Sequence, residues 1–170
     1  MGNFVSDAML EAYPEAAIAV TNSGALRQDI PAGSVTIGSI ISAFPFPNTV
    51  VICELTGEAI YKLLEHGAKL TNGILQLSQG MKMVYDESKP FGQRVLSCTL
   101  NGQAIKKEKL YKVATSNFVP DGGDGFTEFK KASSCRRTGE EIIQVMAKYL
   151  QKRGNYQPRV EGRIKIEGKK

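Results

Sequence analysis

Between Thr115 and Phe126 the chain reads Thr-Ser-Asn-Phe-Val-Pro-Asp-Gly-Gly-Asp-Gly-Phe, and this stretch holds the side chains best suited to grip a ligand. Gly122, Gly123 and Gly125 permit positive φ and let a ligand approach the main chain. Asp124 sits between two of them, so its carboxylate is presented with little steric cover. Phe118 falls just before the turn, after the apolar run Leu110 to Ala114 that reads as a buried strand. A carboxylate able to hold a hydroxyl pair, near a ring able to stack, suits a ribose carrying a base. The plain alternative is a tight turn beside a core phenylalanine, since glycine turns are common.

Two further loops carry residues that a core does not need: Asn22 to Arg27, and Phe46-Pro47-Asn48. Arg27 offers a planar, charged set of donors to an oxygen-rich ligand. Asn22 can donate and accept at once, as base edges and sugar hydroxyls require. Phe46 and Phe118 could sandwich a planar ring. Taken alone, Phe46 reads better as a core anchor between two prolines.

The elements that must position these loops follow from apolar periodicity. Asn3 to Tyr13 reads as a helix with Phe4, Ala8, Met9 and Ala12 on one face, closed by Pro14. Ala16 to Thr21 is a short buried strand, Gly38 to Phe44 a short helix ended by Pro45 and Pro47, and Thr49 to Leu55 a strand feeding a helix from Glu58 to about Leu70. Leu75 to Gln79 and Met81 to Tyr85 read as strands parted by Gly80. Arg94 to Leu100 is another, turned by Asn101-Gly102 into Gln103-Ala104-Ile105. Thr138-Gly139-Glu140-Glu141 resembles a helix start with Thr138 as N-cap, followed by the apolar face Ile142, Ile143, Val145, Met146 and Leu150. Val160 to Ile166 alternates as a closing strand, with Arg163 on its polar side. Adjacent strands and dispersed helices predict an α+β fold: a single layered domain of mixed β-sheet with flanking helices.

Composition narrows the function classes. With 170 residues the chain fits one domain with a real core. Its net charge of +5 allows an anionic ligand, although part of it lies in solvated runs such as Lys106-Lys107 and Lys169-Lys170. The absence of Trp and of a basic stripe interleaved with aromatics argues against a nucleic-acid partner. No stretch is long and apolar enough for a membrane span, and Met1-Gly2-Asn3-Phe4 is not a signal peptide. Three widely spaced cysteines, Cys53, Cys98 and Cys135, predict no disulfide framework, and no CxxC pair suggests a metal. The single histidine, His66, argues against a complete metal site and reads as a surface residue at a helix C-terminus.

Four segments occur in the order seen in the C-terminal, substrate-binding domain of the 5′-nucleotidase / UDP-sugar hydrolase family. They are Gly2-Asn3-Phe4-Val5-Ser6-Asp7-Ala8-Met9, Asn22-Ser23-Gly24-Ala25-Leu26-Arg27, Phe44-Pro45-Phe46-Pro47-Asn48 and Gly122-Gly123-Asp124-Gly125-Phe126. Glu54-Leu55-Thr56-Gly57 and Val160-Glu161-Gly162-Arg163-Ile164 are also similar, so the resemblance covers nearly the whole chain. It implies that residues 1–170 form a nucleoside-recognition domain joined, in the same polypeptide, to an N-terminal metallophosphoesterase domain that lies outside this chain. It implies a substrate-binding set of Asn22, Gly24, Arg27, Phe46, Asn48, Asn117, Phe118, Gly123 and Asp124. Phe46 and Phe118 would stack on the base, Asp124 would hold the ribose hydroxyls, Arg27 would meet the sugar or phosphate, and Asn22 would touch the base. The catalytic residues and two divalent metal ions would belong to the other domain, leaving no catalytic residue, metal or cofactor here. The ligand would be a nucleoside or nucleotide, and the compartment periplasmic, secreted or cell-surface.

Departures from the family pattern are Ser23, Ala25 and Leu26 in the first loop, and Pro47 where glycine is common. A further ligand-contacting arginine usually precedes the Gly-Asn pair, whereas this chain starts at Met1-Gly2-Asn3, which reads as a domain boundary. Two other readings remain open at this point. Gly-Gly-Asp-Gly also occurs in kinases whose loop cradles phosphate, although a threonine usually follows there and Phe126 follows here. Alternatively, the domain is a structural or interaction module that mainly positions a catalytic partner, compatible with a ligand gripped between domains that reorient.

Overall fold

The computed structural model describes residues 1–70 and 73–168, so Lys169 and Lys170 lie outside it. Among these residues the chain forms α1 (Gly2–Ala12), β1 (Ile18–Thr21), α2 (Ile37–Ala43), β2 (Thr49–Thr56), α3 (Gly57–Gly67), β3 (Gln76–Leu77), β4 (Met81–Asp86) and β5 (Val95–Leu100). It continues with β6 (Gln103–Ala104), β7 (Leu110–Ser116), β8 (Ser134–Glu141), α4 (Ile142–Arg153) and β9 (Ile164–Glu167). The strands divide between two mixed sheets, ordered β3-β1-β7-β2-β8 and β6-β5-β4-β9. In the first, β1 runs parallel to β7 while β2 is antiparallel to both β7 and β8. The α+β expectation holds.

The central strands of the first sheet are apolar on both faces because both faces are covered. Along β2, Val51, Cys53 and Leu55 point into one core with α3 and the second sheet, represented by Leu63, Met83 and Tyr85. Val50 and Ile52 point into the other core with α1, α2 and α4, represented by Met9, Ile40 and Met146. Local signals fix the helix starts. Thr36 and Ser39 form a reciprocal capping box on α2, and the Thr56 hydroxyl caps α3 by accepting from the Ala59 amide at 3.2 Å. Asn101 and Gly102 take φ of 51° and 77°, the turn geometry expected of Asn-Gly, between β5 and β6.

On α1, Ala12 is exposed, whereas Phe4, Ala8 and Met9 are buried as expected. α1 and α4 are clamped by Glu11, which pairs with Arg153 and with Lys152. Its hydrogen bond from Arg153 leads the causes that hold its carboxyl at about 2, below the ordinary value of 4.5. A depressed carboxylate contributes stability fully above the ordinary range and loses it as pH falls towards the folded value. Between pH 5 and pH 2.5 the melting temperature should therefore fall less for Glu11→Gln than for the native chain. Equal falls would show that the clamp contributes nothing to acid sensitivity.

Four expectations need correction. Thr138 is not a helix cap: β8 continues to Glu141, and the Thr138 hydroxyl donates to the Val50 carbonyl at 2.8 Å within a strand whose register shifts beside Thr49 and Val51. The polar string Thr-Gly-Glu-Glu resembles a cap because an edge strand with an exposed face needs no apolar alternation. The closing strand begins only at Ile164, with Val160 fully exposed, and Arg163 is a buried residue, 6% exposed. Its guanidinium binds both Asp7 carboxylate oxygens at 2.6 and 2.7 Å. α3 ends at Gly67 rather than near Leu70. Finally, Cys53 and Cys135 form a disulfide, standing directly opposite each other on β2 and β8 with Cα atoms 4.1 Å apart. A separation of 82 residues hid that pairing from spacing arguments.

Candidate functional site

The loops after β1, after α2 and after β7 meet at one end of the first sheet and enclose a cleft of about 410 Å³. The parallel pairing of β1 with β7 brings the first and third loops to the same edge. The pairing of β2 with β7 brings in the loop before Thr49. Asn22, Gly24, Arg27, Phe46, Asn48, Phe118 and Asp124 all line this cleft. A larger groove of about 820 Å³ lies between the segment before α2 and the helix α4, but no charged side chain lines it. Of these two, the smaller cleft is the one that unites a carboxylate, a guanidinium and two phenyl rings.

Asp124 holds the left-handed conformation, with φ 51°, between Gly122 at 94° and Gly125 at 77°. Aspartate is among the few residues besides glycine that visit this conformation, and contacts must favour it over the alternatives. Two tethers do so. The Asn22 amide nitrogen donates to Asp124 Oδ2 at 3.1 Å, and His66 Nε2 lies 2.8 Å from the Asp124 carbonyl oxygen. The carboxylate is accordingly half-buried and anchored at one oxygen, more covered than the glycine-rich sequence implies. Asn22 itself is 7% exposed, and its Oδ1 is buried without a hydrogen-bond partner among the described residues. The bond to Asp124 uses one of the two amide hydrogens, and the buried Oδ1 is covered by the surrounding loop.

The rings are fixed differently. Phe118 is 37% exposed and lies against Gly123, where an added Cβ would come within 2.4 Å of the ring. Gly123 is therefore the floor under Phe118 rather than part of the cleft lining. Phe46 is half-buried and makes an edge contact, with centroids 6.2 Å apart, to the fully buried Phe44. The Arg27 guanidinium lies 5.2 Å above the Phe46 ring, a cation–π contact that holds the charge at the cleft mouth. Asn117 is placed apart from the cleft lining: its Oδ1 accepts from the Thr49 amide at 2.9 Å, locking the end of β7 to the start of β2.

Two supporting contacts have no signal in the sequence. His66 is half-buried, not a surface histidine: it packs edge-on against Phe126 with centroids 4.7 Å apart while contacting the Asp124 carbonyl. Ser23 is tied to the Ile74 carbonyl and accepts from Gln76 Nε2 at 3.0 Å, so the first loop rests on β3. Among the described residues no group of three or more His, Cys, Asp or Glu side chains is placed to hold a metal ion.

A two-sheet α+β domain whose loops build a polar and aromatic cleft at one sheet end defines the architectural class. The chain belongs to the 5′-nucleotidase C-terminal domain family, whose sequence model matches residues 1–131. It is 38% identical to the trifunctional nucleotide phosphoesterase protein YfkN of Bacillus subtilis, over 97% of this chain and 12% of that protein. It is 30% identical to human 5′-nucleotidase, over 98% of this chain and 33% of that protein. The crystal structure of the 5′-nucleotidase precursor from Thermus thermophilus superposes with a TM-score of 0.93 at 32% identity, over 99% of this chain and 35% of that one. The chain thus spans about a third of the length of these two 5′-nucleotidases, and about an eighth of the B. subtilis protein. Family membership leaves the kinase-like reading of Gly-Gly-Asp-Gly without support.

Proposed function

We propose that this chain is the substrate-recognition domain of a metal-dependent 5′-nucleotidase, and that its cleft holds the nucleoside part of a nucleotide. The observation that carries the reading is the convergence of Asn22, Arg27, Phe46, Phe118 and Asp124, from three loops distant in sequence, on one cleft. The base stacks between Phe46 and Phe118, with the Asn22 amide at its edge. The ribose hydroxyls meet the Asp124 carboxylate. Arg27, already held over Phe46, faces the sugar or phosphate oxygens. Gly24 and Asn48 complete the wall, while Asn117 and Gly123 act through Thr49 and Phe118 respectively. Phosphate removal, with its two divalent ions, is assigned to an N-terminal metallophosphoesterase domain of the same polypeptide. On this reading the isolated chain binds ligand without cleaving it. The Cys53–Cys135 disulfide supports an exported protein, because oxidising compartments preserve such bonds.

Titrating adenosine, with uridine beside it, into isotope-labelled chain tests this reading. Backbone amide shifts should cluster in 22–27, 46–48 and 118–125. Phe118→Ala should weaken binding by about 1–3 kcal/mol through loss of one stacking face. Asp124→Asn keeps the size, removes the charge and should also weaken it. No shift at millimolar ligand, or undiminished affinity in both variants, overturns the assignment.

A further inference from the structure

We propose that His66 is a positioning residue of this cleft: it sets the place of the Asp124 carboxylate by holding the Asp124 carbonyl. The inference rests on the cleft being a nucleoside site and assigns a role to a residue that contacts no ligand. His66 Nε2 lies 2.8 Å from the Asp124 carbonyl oxygen, and a carbonyl can only accept, so Nε2 carries the hydrogen. The ring has little freedom. Phe126, 1% exposed, meets it edge-on at 4.7 Å. On another side, even a Cβ at Gly125 would lie 3.3 Å from His66 Cε1. His66 itself stands in the last turn of α3, a helix anchored in the core by Leu63 and Leu64. A helix anchored in the core thus reaches across to a glycine-rich loop, with Gly122, Gly123 and Gly125 around an aspartate of positive φ.

The need for such a tether follows from the backbone. Asp124 at φ 51° is flanked by glycines that lose much freedom when ordered, so the loop has many cheaper conformations once released. Its other tether, the 3.1 Å bond from Asn22, acts on the side chain, while the main chain is otherwise held by bonds local to the loop, such as Gly123 N to the Phe118 carbonyl at 2.9 Å and Gly125 N to the Gly122 carbonyl at 3.1 Å. The two are complementary: His66 holds the backbone and Asn22 holds one carboxylate oxygen of a residue that lines the cleft. Small displacements of a positioned group cost binding out of proportion to their size.

The test compares His66→Leu, which fills the slot without a donor, with His66→Gln, whose amide nitrogen sits where Nε2 sits. Adenosine affinity is followed by amide shifts, and folding by urea denaturation. We expect roughly tenfold weaker binding for the leucine variant, with the Asp124 and Gly125 amides displaced, and affinity within about twofold of native for the glutamine variant. On an Asp124→Asn background the leucine substitution should cost little further, because its effect passes through the carboxylate. Should the leucine variant not fold, His66→Asn, too short to reach the carbonyl, takes its place with the same expectation. Native affinity in the donor-free variant overturns the proposal, as does failure of glutamine to rescue or an undiminished loss on the Asp124→Asn background. Absence of adenosine binding by the native chain overturns the nucleoside reading itself, and is told apart by needing no variant.

Discussion

Arg163→Met should cost the folded state about 3–5 kcal/mol, because it leaves Asp7 as a buried charge without its counter-ion. Arg163 and Asp7 are 6% and 7% exposed. The guanidinium also donates to the Leu77 carbonyl at 2.9 Å and to Glu161, while Asp7 Oδ1 accepts from the Gln79 amide at 2.7 Å. One ion pair therefore ties the segment before β9 to α1, to the end of β3 and to Gln79 just beyond it. The site depends on this junction, since β3 carries Gln76, which supports Ser23 in the first cleft loop. Domain stabilities of ~5–15 kcal/mol make such a loss a large fraction of the total. Urea denaturation should show a lower midpoint with an unchanged slope. Asp7→Leu combined with Arg163→Met removes both charges and should recover most of the loss, since buried pairs are costly to break but cheap to replace by apolar groups. A single-variant cost below about 1 kcal/mol would show that the pair is not what holds this junction.

The same residues show how far the sequence could be read. Asn22, Arg27, Phe46, Phe118 and Asp124 stood out because their types have no work to do in a core, and the elements around them were periodic enough to place each in a loop. That the three loops share a sheet end was not available from periodicity, since parallel pairing of β1 with β7 leaves no local mark. It came instead from family resemblance, as did the individual ligand roles. Arg163 was misplaced for a related reason. Alternation in Val160 to Ile166 predicts which side a residue faces, but not that an aspartate 156 residues away waits there. His66 and Ser23 act through carbonyls 58 and 51 residues distant, and main-chain acceptors carry no residue signature at all. Thus residue type picked out side chains that line one cleft, while the groups that hold them in place emerged only from tertiary contacts.

Loss of the Cys53–Cys135 disulfide is the other change with a large expected effect, and it bears on where the protein works. A link across 82 residues restricts the unfolded chain, and removing a bond of this kind costs about 2–5 kcal/mol. For a domain of this size that is a fall in Tm of roughly 5–20 °C. The folded structure should change little, because β8 keeps its antiparallel pairing with β2 on either side of the bond. Cys98 offers no route for exchange: it is 1% exposed, and burial pushes its thiol up to about 12. Cys53→Ala combined with Cys135→Ala should therefore melt lower than the oxidised native chain and close to the reduced one, with adenosine affinity retained because neither cysteine lines the cleft. Native protein secreted into an oxidising compartment should show one free thiol after unfolding without reductant. Three free thiols, or equal melting of oxidised and reduced protein, would remove the bond as a source of stability, and with it the physical support for export.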